Sequence, residues 1–212
     1  MRKPFALLLL IVASAAVFAQ SKELNNQGLT LLDDDLAIEF FGGRNDDINL
    51  PRTSQTNASS RPSFPYFSQL DPRWSDEVMG ISTMTIGSSG CELTSLAMLL
   101  AGFNVTVIGE SVNPSTLNKY LKQEYGWIMR SEIRWPVLWS LGIQAVGPFK
   151  AFEEIAKNIA GGNYCILTID IHWVLAVGIS EGNYVVMDPR DQSKKTYNKY
   201  EVKEARCFVK KK

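Results

Sequence analysis

The hydrophobic period of this chain changes at Asn163, and that change limits the possible folds more than any other feature. Ahead of it, apolar residues recur at helical spacing. Beyond it, Tyr164–Ile169, His172–Ile179 and Tyr184–Met187 are β-branched and apolar runs of strand length. Glu181-Gly182-Asn183 reads as the turn of a hairpin, and Cys207–Val209 as a closing strand. Helices first and an antiparallel sheet second predict an α+β domain. On the helical side, Leu93, Leu96, Ala97 and Leu100 form an apolar stripe behind Ile86-Gly-Ser-Ser-Gly-Cys91. Asn113-Pro114 supplies an N-cap and a proline at the first helical position. That helix is expected to run to about Tyr125, with Leu117, Tyr120 and Leu121 on one face, and to stop at Gly126. Ile133–Leu141 and Ala151–Ala160 read as further helices, ended by Gly142 and by Gly161-Gly162.

The N-terminal third has a different composition. Arg2 and Lys3 precede an apolar run from Phe5 to Val17, and Val17-Phe18-Ala19 resembles a small-residue cleavage site, so residues 1–19 read as a signal peptide. The run is short for a bilayer span. With it removed, the expected product is secreted or periplasmic, with no stable membrane insertion. Residues 20–61 are rich in Ser, Asn, Gln and Asp and read as a weakly structured acidic or polar leader and linker. Asp33-Asp34-Asp35 lacks the alternating oxygen ligands of a calcium loop. The folded domain is expected over residues 62–212. Lys and Arg total 22 and so do Asp and Glu, a balance that gives no footprint for nucleic acid. One histidine and no clustered cysteines imply no metal, and no glycine-rich phosphate loop implies a nucleotide, so no cofactor is expected.

The chemistry centres on Cys91. Small residues lead straight into it, and its place in the first turn of a helix, where backbone N–H groups and the helix dipole favour negative charge, suits a nucleophilic thiolate. The glycines would also leave room for a substrate to reach the sulfur. A small, buried, inert cysteine is the alternative. His172, the single histidine, opens one strand of the hairpin, and Asp188 follows the other strand, so antiparallel pairing makes them neighbours. A thiol, an imidazole and a carboxylate make a nucleophile–base–orienter set. Asp170 and Asp191 are rival orienters, and Asp188-Pro189 could instead serve only as a turn. Cys165 and Cys207 lie in strand-like segments. They could pair and leave Cys91 free, or all three thiols could be free.

Tyr66-Phe-Ser-Gln69, Asp71-Pro-Arg-Trp74, Ile86-Gly-Ser-Ser-Gly-Cys91, Thr94, Ala97-Met98, His172-Trp-Val and Asp188-Pro189 together resemble the C39-like peptidases. Their better-studied relatives are the leader-cleaving domains of bacteriocin exporters. The resemblance spans roughly residues 63–190. It implies a papain-like cysteine peptidase fold, with an N-terminal helical part packed on a C-terminal antiparallel sheet. It also implies Cys91 as nucleophile, His172 as general base and acid, Asp188 as orienter, and Gln69 as a partner of the Cys91 backbone N–H in the oxyanion hole. In exporter relatives the glutamine lies only a few residues before the cysteine, whereas here Gln69 is far upstream.

The function expected is a secreted cysteine hydrolase that cleaves peptide or amide bonds through an acyl-thioester. Its partner would be a peptide or protein substrate, cell-envelope components included. Two other functions suit the same residues: a papain-like module that binds peptide or cell wall without cutting it, and an acyltransferase using the same triad. Trp74, Trp127, Trp135, Trp139 and Trp173 could line a substrate groove or serve as core and rim.

Overall fold

The computed structural model describes residues 63–128 and 131–211. The signal-peptide and leader readings fall outside the described residues. The architecture is α+β: helices and a six-stranded antiparallel sheet. In chain order the elements are α1 (Ile86–Ser89), α2 (Cys91–Gly102), a small hairpin of β1 (Thr106–Val107) and β2 (Glu110–Ser111), and α3 (Pro114–Gln123). Then come a 3₁₀ helix (Trp135–Leu141), β3 (Ile143–Phe149), α4 (Phe152–Ala160), β4 (Tyr164–Ile169) and β5 (His172–Ser180). β6 (Asn183–Met187), β7 (Thr196–Asn198) and β8 (Glu204–Lys210) complete the chain. The sheet order is β3-β8-β4-β5-β6-β7.

Strand alternation divides the sheet's side chains between two faces. Tyr164, Ile166, Leu175 and Phe208 join the core formed with α2 and α3. Cys165, Leu167, Val174, Ala176, Val186, Ala205 and Cys207 cluster with Ile155 of α4. Cys165 and Cys207 are directly paired across β4 and β8 and form a disulfide, leaving Cys91 as the free cysteine.

α2 is buried more completely than its apolar stripe implies. Beyond the predicted stripe, Thr94, Ser95, Met98 and Leu99 are also buried, so the helix is enclosed by the sheet and by α3. Each fully buried leucine there contributes about 1.5–3 kcal/mol. Ser95 Oγ donates to the Trp173 carbonyl at 3.2 Å, tying the helix to β5.

The helical part differs in detail from the sequence expectations. α3 ends at Gln123, and the left-handed residue after it is Tyr125 (φ 52°), not Gly126. Gly126 is required for close approach, because a Cβ there would lie 2.6 Å from Leu121 Cδ2. The Ile133–Leu141 helix is a 3₁₀ helix from Trp135. The glycines before Cys91 are demanded by backbone packing: a Cβ on Gly90 would sit 2.5 Å from the Ile86 carbonyl oxygen, and one on Gly87 3.0 Å from that of Ser75.

Candidate active site

A cleft of about 610 Å³ opens where the start of α2 meets the start of β5, and Gln69, Cys91 and His172 all line it. Cys91 is 6% exposed, at the first position of α2 behind Gly90. Its place follows from the short turn of helix ahead of it. Thr85 and Ser88 cap α1 reciprocally, side chain to backbone, and buried Ile86 anchors that turn to the core. The chain is thereby delivered to Gly90 in a fixed direction.

His172 and Asp188 lie together on the hairpin of β5 and β6. His172 Nε2 is 2.8 Å from Asp188 Oδ1, and Asp188 is 3% exposed. A carboxylate accepts only, so Nε2 carries the proton of that bond and Nδ1 is the nitrogen free for another partner. The carboxylate is held elsewhere too. Oδ1 accepts from the backbone N–H of Arg190 (2.8 Å) and Asp191 (3.2 Å), a turn closed by the side chain on its own backbone. Oδ2 accepts from the Tyr197 hydroxyl at 2.8 Å.

These contacts set the charges. Burial on its own would lower the pKa of His172. The hydrogen bond to Asp188 and the charge of that carboxylate, with the Cys91 sulfur nearby, override burial and raise it to about 9. Burial likewise disfavours charge on Asp188, but the bonds from His172, Arg190 and Tyr197 outweigh it and hold the carboxyl below its usual 3.8. At neutral pH the pair is therefore an imidazolium on a carboxylate, beside the sulfur. Glu92, next to Cys91 on the cleft wall, is pushed up to about 7 by burial and by Glu132, while the Ile133 N–H and Arg206 pull the other way.

Gln69 joins the two halves of the site through both backbone and side chain. Its N–H donates to the Pro189 carbonyl at 2.9 Å, one residue past Asp188. Its side-chain Nε2 donates to the Gly87 carbonyl at 2.9 Å, just ahead of Cys91. One N–H of the amide remains, and Oε1 is buried without a partner. The distance from Gln69 to Cys91 along the chain is thus closed in space.

The rival orienters lie elsewhere. Asp170 is exposed and accepts from Lys203 Nζ at 2.6 Å. The Asp191 carboxylate accepts from the backbone and hydroxyl of Ser193. Among the tryptophans, Trp135 and Trp173 line the cleft, Trp74 is core, Trp127 packs against the core and Trp139 is 58% exposed. Sequence reasoning missed Tyr197, which comes from a three-residue polar strand with no periodic signal, and Glu92, whose neighbour in sequence was the only clue. Among the described residues, no three His, Cys, Asp or Glu side chains are grouped to hold a metal ion, and no helix is long and apolar enough to cross a membrane.

Two solved structures are similar to this chain. One is a double glycine motif protease from an AMS/PCAT transporter in complex with the leader peptide, 17% identical with a TM-score of 0.44, covering 71% of this chain and 93% of its own. The other is a candidate C39-like peptidase from Bacillus anthracis, 13% identical with a TM-score of 0.44, covering 71% of this chain and 96% of its own. No curated protein matches. The model of the Peptidase_C39 like family matches residues 62–210, most of the chain, and the chain belongs to that family of C39-like peptidases.

Proposed function

We propose that this protein is an exported cysteine peptidase, or more broadly an amide hydrolase, working through Cys91, His172, Asp188 and Gln69. Membership of a peptidase family supports the class of activity. The observation that carries the assignment of residues is the ion pair of His172 and Asp188 at 2.8 Å, sharing one cleft with the free cysteine Cys91. The apolar run after Arg2 and Lys3 supports export. So does the disulfide between Cys165 and Cys207, since such bonds persist in oxidising compartments.

The chemistry follows from the arrangement. The positive imidazole ring stabilises negative charge on the Cys91 sulfur, which attacks the substrate's carbonyl carbon. A C–S bond forms and the carbonyl π electrons move to oxygen. The free N–H of Gln69 and the backbone N–H of Cys91, at a helix start, are the donors for that oxyanion. As the intermediate collapses the C–N bond breaks, and the His172 proton passes to the departing nitrogen. Neutral His172 then takes a proton from water as its oxygen attacks the thioester carbon. The C–S electron pair returns to sulfur and the acid is released. Asp188 stays ionised throughout and holds the ring in place.

The test is to incubate the protein with a complex peptide mixture and follow new termini by mass spectrometry, with intact-mass detection of an acyl adduct. New termini and an adduct at Cys91, both lost in Cys91→Ala, are expected. Peptide retention on the protein with no new termini from either form would overturn the hydrolase assignment and leave a binding module.

A further inference from the structure

The carboxylate of Asp188 divides its partners unevenly. Oδ1 takes His172 Nε2 and the backbone N–H groups of Arg190 and Asp191, whereas Oδ2 takes only the Tyr197 hydroxyl, at 2.8 Å. Donors gathered on one oxygen fix that atom but not the plane of the group, and hydrogen bonds to a carboxylate favour particular lone-pair directions in that plane. A second anchored oxygen is needed to set it.

Tyr197 is well placed to be that anchor. It sits on β7 opposite Tyr184 of β6, the strand that leads directly into Asp188. The Val186 N–H continues the ladder with a 2.8 Å bond to the Lys195 carbonyl, so the two strands are coupled up to the site. The ring is half-buried, and Lys194 Nζ lies over it, 4.5 Å from the centroid. Burial, followed by the bond and charge of Asp188, pushes the phenol well above its usual pKa, so the hydroxyl remains a donor wherever the site is ionised.

We propose that Tyr197 is a positioning residue of the active site, its hydroxyl fixing the plane of the Asp188 carboxylate and so the direction from which Oδ1 meets His172. This rests on the assignment of Asp188 and His172 above. It places a further side chain, from the edge strand, behind His172 and Asp188. Tyr197 touches no reacting atom. Without its hydroxyl, Oδ2 is a buried carboxylate oxygen with no partner, and the group is free to turn away from the imidazole.

Because His172 is the only histidine in the chain, its imidazole C–H signals report one group without overlap. The experiment is an NMR titration of His172 in the whole wild-type protein and in Tyr197→Phe, with folding checked by amide dispersion. The wild-type midpoint is expected near 9 and the variant's at least one pH unit lower, toward the ordinary 6.5. Alkylation of Cys91 by iodoacetamide at pH 6.5 should slow about tenfold, the rate equivalent of about 1.4 kcal/mol. A folded variant with an unchanged or raised midpoint overturns the proposal, since a merely structural tyrosine would leave the titration in place. Should Tyr197→Phe not fold, the wild type decides. A slowly exchanging Tyr197 hydroxyl proton is expected, and its absence overturns the proposal. These readouts follow ionisation rather than turnover. Failure to cleave peptides with the titration as expected would therefore count against the hydrolase assignment alone.

Discussion

Cys91 is carried by a helix whose side chains are buried almost all round, whereas His172 and Asp188 are carried by a hairpin whose turn, at Glu181 and Gly182, is exposed. The side of Cys91, the proposed nucleophile, is non-local. α2 reaches the base through packing against β5, sealed by a Ser95–Trp173 bond between residues 78 apart. His172 and Asp188, the proposed base and orienter, are 16 residues apart and meet where the pairing of β5 with β6 brings the start of one strand beside the end of the other. Position on the helical side depends on the hydrophobic core; position on the hairpin side depends on hydrogen bonds around one carboxylate. Substitutions should therefore separate into those that stop the chemistry and leave the fold, and those that weaken the fold and leave the chemistry of molecules still folded.

The largest effect belongs to the sulfur. Cys91→Ala is expected to reduce peptide hydrolysis at least about 10³-fold, with a melting temperature close to wild type, as measured by peptide-cleavage rates and calorimetry. The same helix responds differently about one and a half turns further on. Leu96 is fully buried, and Leu96→Ala should cost about 2–5 kcal/mol of stability in denaturant titration, while kcat per folded molecule changes little. If Leu96→Ala abolished turnover in fully folded protein, the division between the two sides would be wrong. Replacing Cys165 and Cys207 together by Ala opens a loop spanning 42 positions, on the face of the sheet away from α2. That should cost about 2–4 kcal/mol, again with the cleft chemistry retained.

The smallest effect is the pH dependence of stability on the hairpin side. His172 is raised from 6.5 to about 9 on folding, so its contribution is complete below pH 6.5 and disappears as pH rises through about 9. Asp188 is lowered from 3.8, so its contribution is present above that value and is lost as pH falls below it. The melting temperature of the wild type relative to His172→Ala should therefore be greatest between about pH 4 and 6.5. It should shrink by a few degrees toward pH 9.5. A difference independent of pH would show that the ion pair does not form in solution.

The same contrast explains what could be read from the sequence. Helix α3 was legible because Asn113 and Pro114 announce its start, and β4 to β6 because each is an apolar, β-branched run of strand length. The neighbourhood of His172 and Asp188 needed nothing beyond a hairpin. β3 was missed because Gly147 and Pro148 interrupt its pattern, and the pairing with β8 shifts register there. β7 was missed because Thr196-Tyr197-Asn198 is short and polar. The contact of Gln69 with Gly87 and Pro189 is tertiary, carried by single hydrogen bonds, and has no local signature. The disulfide stood open as one of two arrangements, since strand order, which brings β8 beside β4, is not written in either strand.

The most direct measurement is the rate of Cys91 alkylation by iodoacetamide at pH 6.5 in the whole wild-type protein and in His172→Ala, with Cys165 and Cys207 left oxidised. If the imidazolium on Asp188 activates the sulfur, the wild type should react at least about tenfold faster than the variant. Equal rates in the two folded proteins would mean that His172 and Cys91 share a cleft without sharing any chemistry.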